Sequence, residues 1–208
     1  MDRPTKELMI SIANYRPFNV QESADKEAFL SFLKSRENFW TRENLTGHLT
    51  ASAWIVNPSF TKVLMVYHHI YDSWAWTGGH ADGETDLLCV ALNEAREETG
   101  LESVSPHSDS IYSLEVLTVD GHMKNGSRVA SHLHYNLTYL LVADDTRPVR
   151  SKPDENAEVA WFRIEDAAKA SSEPYMRQIY RKLNRKIAEI ILQRNGGRSI
   201  QQKNPSAK

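Results

Sequence analysis

Three glutamates lie close together in the chain, shortly after a glycine-rich stretch. Glu94, Glu97 and Glu98 follow the segment GGHADGE, which begins at Gly78. An α-helix turns by about 100° per residue, so all three carboxylates share one side of it. Like charges at this spacing repel one another, so their clustering requires solvent or a cation. Oxygen ligands of this kind suit Mg²⁺ or Mn²⁺, and the spacing therefore predicts a divalent metal site.

The glycine-rich stretch itself predicts contacts with phosphate. A loop of this type that leads into a helix offers backbone N–H groups and the positive helix end to phosphate oxygens. Gly78 and Gly79 precede the predicted ligand-bearing helix in this way. An acidic run without such a loop is typical of a solvated helix face. The combination favours a site for a diphosphate and a cation.

Residues 78 to 101 resemble the signature of the Nudix hydrolases, in which a glycine-rich loop leads into Arg-Glu-apolar-x-Glu-Glu-x-Gly-apolar. Gly79 and Gly100 have the spacing of the two signature glycines, and three glutamates fall into register between them: Glu94, Glu97 and Glu98. The resemblance implies a Mg²⁺- or Mn²⁺-dependent hydrolase that cleaves the diphosphate linkage of a nucleoside diphosphate joined to another group. It also implies that the three glutamates bind the metal together with the backbone carbonyl of Gly78.

The sequence departs from this signature at two positions. Thr85 stands where the first glutamate is expected, and Asn93 stands where the arginine is expected. Glu84 lies one place earlier than Thr85, so we expect it to orient the loop or to replace the missing glutamate. Asn93 keeps hydrogen-bonding capacity but carries no charge. The departures leave open a catalytically weak Nudix-fold regulator that binds nucleotides.

A third class, an isomerase acting on isopentenyl diphosphate with a similar fold, requires a reactive cysteine outside the motif helix. Cys89 is the only cysteine, and it lies inside that helix. A small, partly buried side chain is the simpler role for it. The glutamate triplet favours the hydrolase.

The predicted catalytic set consists of four carboxylates: Glu84, Glu94, Glu97 and Glu98. The resemblance leaves the general base open between a motif glutamate and an acid from a later loop. The later candidates are Asp120, Glu155 and Glu158, although no spacing rule ties them to the helix.

The predicted substrate contacts are Trp74, Trp76, Gly79 and His80. The two tryptophans flank the loop and could either stack on a base or close the core. His132 and His134 alternate along a strand and therefore share a face. Together with His68, His69, His80 and His122, these histidines could form a zinc site. The simpler interpretation is that they form hydrogen bonds within the strands.

Composition limits the remaining possibilities. The 208 residues, 40% hydrophobic and 25% charged, suit one globular domain with extensions. A net charge of -2 gives no general attraction to nucleic acid or anionic membrane, and no apolar run reaches the roughly 18 residues of a membrane span. We expect a cytoplasmic protein that acts on a small, nucleotide-derived diphosphate without binding nucleic acid polymers or membranes, and we leave homodimer formation open.

Hydrophobic periodicity and turn residues predict the order of elements. We expect two N-terminal helices, a hairpin starting near residue 47, a catalytic loop at 71–84, the motif helix, further strands, a short helix and a long helix at 173–194. This order predicts an α/β fold, a Nudix-type α/β/α sandwich around a mixed β-sheet. It has an N-terminal helical extension and a long C-terminal helix. The predicted divisions are 1–44 for the extension, 45–195 for the hydrolase domain, and 196–208 for a disordered tail.

Overall fold

The computed structural model describes residues 2–35, 38–124 and 126–201. It shows a mixed β-sheet with helices on both sides, as predicted. The helices are α1 (Arg3–Asn14), α2 (Val20–Lys34), α3 (Leu87–Thr99), α4 (Ile164–Ala170) and α5 (Pro174–Gln201). The strands are β1 (Gly47–Val56), β2 (Lys62–His68), β3 (Ser73–Ala75), β4 (Thr77–His80), β5 (Val104–Pro106), β6 (Ser113–Val119), β7 (His122–Lys124), β8 (Ser127–Val129), β9 (His132–Ala143) and β10 (Asn156–Arg163).

Strands β1 and β9 form the centre of the sheet. They run parallel from the pair Gly47 and Leu133 to the pair Val56 and Val142. Every residue of β1 is buried, as expected for a strand of a parallel pair that is covered on both faces. Strands β2 and β4 pair antiparallel with β1, so the predicted hairpin of the first two strands is present. Strand β4 carries the glycines of the predicted site and is thus fixed to the centre of the fold.

Two apolar cores cover the two faces of the sheet. On one face Leu49, Ala51 and Leu137 pack with buried residues of α1, α2 and α3. On the other face Trp54 and Met65 pack with buried residues of α4 and α5. Successive residues of a strand point to opposite faces, so each central strand contributes to both cores.

The N-terminal extension packs onto the sheet through apolar and charged contacts. Phe29 and Leu33 of α2 are fully buried against the core shared with α3. Glu22, also of α2, is fully buried and lies 2.9 Å from Lys186 and 3.2 Å from Lys182, both on α5. The extension therefore contacts both the sheet and the C-terminal helix.

Several short elements were not predicted. The predicted catalytic loop contains β3 and β4, and β5 and the hairpin of β7 and β8 were also missed. Strands of three or four residues are too short to show an alternating pattern. Helix α5 continues to Gln201, beyond its predicted end at residue 194, and residues 202–208 of the predicted tail lie outside the described residues. Across the described ranges, none of the helices is both long and apolar enough to span a bilayer.

Candidate functional site

Helix α3 is the predicted motif helix, and both of its ends are capped. The Asp86 side chain accepts a hydrogen bond from the Cys89 backbone N–H at 3.1 Å, as expected at a helix N-terminus. Gly100 ends the helix with φ of 67°, a conformation that favours glycine. A Cβ atom added at Gly100 would lie 2.2 Å from Cγ of Arg150. Both backbone conformation and packing therefore require glycine here.

The loop before α3 turns sharply and is held by the N-terminal extension. Asp82 and Gly83 both have positive φ, 46° and 95°, as in a type I′ turn. The Gly83 N–H donates to the Trp40 carbonyl at 2.9 Å. Arg42 Nε donates to Asp82 Oδ1 at 2.8 Å. The segment before β1 therefore positions the turn that leads into the motif helix.

Thr85 and Asn93, the two residues that depart from the Nudix signature, contact only near neighbours in the hydrogen bonds described here. Glu84 Oε1 accepts hydrogen bonds from the backbone N–H groups of Thr85 at 2.7 Å and Asp86 at 2.9 Å. Of the roles considered for Glu84, these contacts correspond to orienting the loop. The Asn93 amide contacts Cys89 and Arg96 along its own helix.

Glu98 is a carboxylic acid buried beside the glycine-rich strand. Its side chain accepts a hydrogen bond from the Gly78 N–H at 2.9 Å, and the residue is only 4% exposed. Burial raises the pKa of Glu98 to about 8, and the nearby charges of Glu94 and Glu155 act in the same direction, while the hydrogen bond from Gly78 opposes them. At neutral pH this group therefore holds a proton in the absence of a cation.

Glu94 lies directly over Gly79. A Cβ atom at Gly79 would stand 2.0 Å from Glu94 Oε1 and 2.5 Å from its Cδ. Only glycine leaves room for this carboxylate against the strand. Burial raises the pKa of Glu94, and the charges of Glu97 and Glu155 raise it further.

Glu97 lies at the outer side of the site and pairs with a later loop. Lys152 Nζ is 3.2 Å from Glu97 and 2.9 Å from Glu155. Asn156 fastens this loop to the helix end, because its side chain donates to the Glu98 carbonyl at 3.0 Å and accepts from the Lys152 N–H at 3.1 Å. Four carboxylates and one lysine thus surround the end of α3.

The structure separates the three later candidates for a general base. Glu155 joins the site through Lys152. Glu158 lies on β10 opposite Tyr67, and Asp120 lies in the turn before β7. Glu155 is therefore the candidate that the fold brings to the motif glutamates.

The two predicted tryptophans are packed by neighbouring aromatic rings. The Trp74 ring meets Phe162 edge-on at 4.8 Å between centroids. Trp76 meets Tyr180 at 5.6 Å, and its backbone N–H donates to the Tyr180 hydroxyl at 3.2 Å. Of the two roles left open, these contacts correspond to closing the core beside α5.

The predicted substrate contact His80 lies in a histidine cluster. Potential ligand atoms of His48, His80 and His134 all lie within 4.8 Å of one another. His132 Nε2 is 3.1 Å from His134 Nε2. His48 was not among the predicted site residues, because only the pairing of β1 with β9 places it beside His134.

Residues 46–183 match the family model of the NUDIX domain. The chain belongs to this family. The Nudix resemblance drawn from residues 78 to 101 is therefore confirmed. A search of curated proteins returned no match.

Similar solved structures include an Ap4A hydrolase of C. elegans in a binary complex. It is 20% identical, with a TM-score of 0.50 over 69% of this chain and 97% of that chain. Another is the dihydroneopterin triphosphate pyrophosphohydrolase of E. coli, 14% identical with a TM-score of 0.48 over 64% of this chain and 91% of that chain. At 20% identity, the similarity to the C. elegans hydrolase shows a shared fold.

Proposed function

We propose that this Nudix protein hydrolyses the diphosphate linkage of a nucleoside diphosphate joined to another group, with Mg²⁺ or Mn²⁺ held by its motif glutamates. The observation that carries the proposal is the crowding of carboxylates at the end of α3. Glu98 is buried, Glu94 is half-buried, and their pKa values are raised. A hard divalent cation stabilises the charged form of such a set, so the residues fit the implied metal.

The ligands we assign are the carboxylates of Glu94, Glu97 and Glu98 with the backbone carbonyl of Gly78. When bound, the cation would neutralise charge on the diphosphate oxygens and lower the pKa of a water. Gly79 leaves room for the Glu94 side chain against β4, because a Cβ atom there would collide with its carboxylate.

The surrounding residues have supporting roles in this proposal. Lys152 forms ion pairs with both Glu97 and Glu155. Glu155 is the loop acid suited to accept a proton from the attacking water, because it lies beside the glutamates and is itself partly exposed. Glu84 holds the loop through the backbone N–H groups of Thr85 and Asp86.

The second candidate is a nucleotide-binding regulator that has lost turnover. The observation that favours it is the pair of signature departures at Thr85 and Asn93. The Asn93 side chain contacts its own helix and supplies no positive charge to the site. In this candidate the same site binds the diphosphate without cleaving it.

A substrate panel separates the two candidates. The full-length chain is incubated with Mg²⁺ or Mn²⁺ and with dinucleoside polyphosphates, ADP-ribose, nucleotide sugars, oxidised nucleotides and a non-nucleotide diphosphate, and the products are identified. Dinucleoside polyphosphates are included because a hydrolase with a similar fold is named for Ap4A. We expect metal-dependent hydrolysis of a nucleotide-derived member. Tight binding of a nucleotide diphosphate without hydrolysis in either metal would favour the regulator.

Variants then locate the activity. Glu97→Gln keeps the shape of the side chain but removes a ligand charge, and we expect turnover to fall by about two orders of magnitude or more, or about 2.7 kcal/mol of barrier. The matched control is Glu158→Gln, at an exposed position on β10. Equal turnover in both variants would contradict the assignment of the site.

A further inference from the structure

The sheet brings four histidines together from three strands. His48 lies on β1 and is paired with His134 on the parallel strand β9. His80, on β4, is paired with Thr50 of β1, and Thr50 shares a face with His48 because residues two apart on a strand do so. His132, two residues before His134, is on that face as well. Backbone pairing in the core therefore fixes where these imidazoles meet.

Their separations suit one metal ion. The ligand atoms of His48, His80 and His134 lie within 4.8 Å of one another, and Nε2 of His132 lies 3.1 Å from Nε2 of His134. Tetrahedral zinc with Zn–N distances of about 2.0–2.1 Å places neighbouring ligand atoms about 3.3–3.4 Å apart. The ring centroids of His132 and His48 are 4.9 Å apart. His132 therefore lies next to the other three histidines as a fourth possible ligand.

The ring of His48 is oriented as a metal ligand. Its Nδ1 lies 3.2 Å from the Asn44 carbonyl, which can only accept a hydrogen bond. Nδ1 therefore carries the hydrogen, and the lone pair is on Nε2. That Nε2 is buried, has no hydrogen-bond partner among the described residues, and belongs to a residue that is 4% exposed. In metal-binding histidines the N–H of the second ring nitrogen commonly donates a hydrogen bond to a carbonyl in this way.

His132 has the same arrangement. Its Nδ1 lies 2.8 Å from the Ala130 carbonyl, so its lone pair is also on Nε2.

We propose that His48, His80, His132 and His134 bind one transition metal ion, with Zn²⁺ as the reference ion. Neutral imidazoles suit Zn²⁺ and similar borderline ions, whereas carboxylates suit Mg²⁺. The site is distinct from the glutamate site, because Gly79 faces Glu94 and the next residue of the strand points to the opposite face. The ion would tie β1, β4 and β9 together beneath the glycine-rich strand. This proposal does not depend on diphosphate hydrolysis.

Zinc binding to the full-length chain tests the site. The protein is stripped with a chelator, its metal content is verified, and Zn²⁺ alone is titrated calorimetrically into wild type, His80→Asn and His134→Asn. We expect one Zn²⁺ per wild-type chain and an affinity loss in each variant that exceeds the roughly 10- to 100-fold cost of losing an outer-shell partner. The controls are Glu98→Gln, at the other site, and His69→Asn, an exposed histidine whose ring meets the Pro153 carbonyl. Both should bind Zn²⁺ as wild type does.

Cobalt reports the ligand geometry. Co²⁺ bound to wild type should give the intense visible absorption of a tetrahedral complex, and His80→Asn should abolish it. A weak octahedral spectrum, or Zn²⁺ binding that is lost in Glu98→Gln and retained in His80→Asn, would overturn the proposal. Circular dichroism and thermal melting of the stripped proteins verify folding. If His134→Asn does not fold, His80→Asn and His132→Asn decide the outcome.

Discussion

Replacing Gly79 with alanine should move a proposed metal ligand without removing it. The added Cβ atom would lie 2.0 Å from Glu94 Oε1, and contacts under 3.0 Å essentially never occur for real Cβ atoms. The Glu94 carboxylate must therefore move by about 1 Å or more. Because the colliding atoms are the far end of a flexible side chain, the fold can accommodate the change.

The expected cost appears in turnover and much less in stability. A displacement of about 1 Å at a positioned group can lower a rate by about 100-fold, which corresponds to about 2.7 kcal/mol of barrier. Gly78→Ala is the contrasting variant, since its Cβ would lie 2.7 Å from the Ala51 carbonyl oxygen and 2.8 Å from Ser52 Cα, which are backbone atoms. We expect Gly78→Ala to lower the melting temperature substantially more than Gly79→Ala.

A double-mutant cycle isolates the mechanism. Metal-dependent turnover of the best panel substrate is measured for Gly79→Ala, Glu94→Gln and the double variant, alongside thermal unfolding. If alanine acts through Glu94, the double variant should be no slower than Glu94→Gln alone. Full additivity of the two losses, or wild-type turnover in Gly79→Ala, would refute this explanation.

Three further predictions concern stability and pH. Glu22→Gln should lower the free energy of unfolding by about 3–5 kcal/mol at neutral pH, because it breaks a buried ion pair. Burial alone would raise the pKa of Glu22, but Lys186 and Lys182 lower it to about 2 from 4.5. Chemical unfolding should therefore show the stability difference between variant and wild type shrinking as pH falls from 4.5 towards 2. Phe29→Ala, at a fully buried position of α2, should cost about 3–5 kcal/mol, and an unchanged urea midpoint would mean that the extension does not stabilise the sheet. The pKa of Glu98 is raised to about 8 from 4.5, so its protonated form stabilises the metal-free fold below pH 4.5 and this contribution is lost as pH rises through 8. The rise in melting temperature caused by Mg²⁺ should therefore grow from about pH 6 to about pH 9. A rise that is independent of pH would count against Glu98 as a ligand.

The motif helix could be predicted from sequence because its determinants are local. Asp86 caps its first turn and Gly100 ends it, and both signals are adjacent to the residues they control. The shared side of Glu94 and Glu98 follows from helical geometry alone. The central strands β1 and β9 were also predictable, since each is long and alternates polar with apolar residues over much of its length.

The remaining features depend on contacts between distant residues. Glu155 reaches the site because Asn156 binds the end of α3, 58 residues earlier in the chain. His48 meets His134 through strand register, which composition and periodicity do not specify. The packing of Trp76 depends on Tyr180 of α5. No local pattern in the sequence carries these pairings.

The most direct test of the glutamate site is the Mg²⁺ dependence of turnover in Glu98→Gln. This substitution removes the buried carboxylate that lies against the Gly78 N–H and preserves its size. With the best panel substrate, we predict that wild-type turnover rises with Mg²⁺ and saturates, and that Glu98→Gln is slower by about 100-fold or more at every concentration while melting at a similar or higher temperature without metal. Wild-type turnover and Mg²⁺ dependence in a folded Glu98→Gln variant would contradict the assignment.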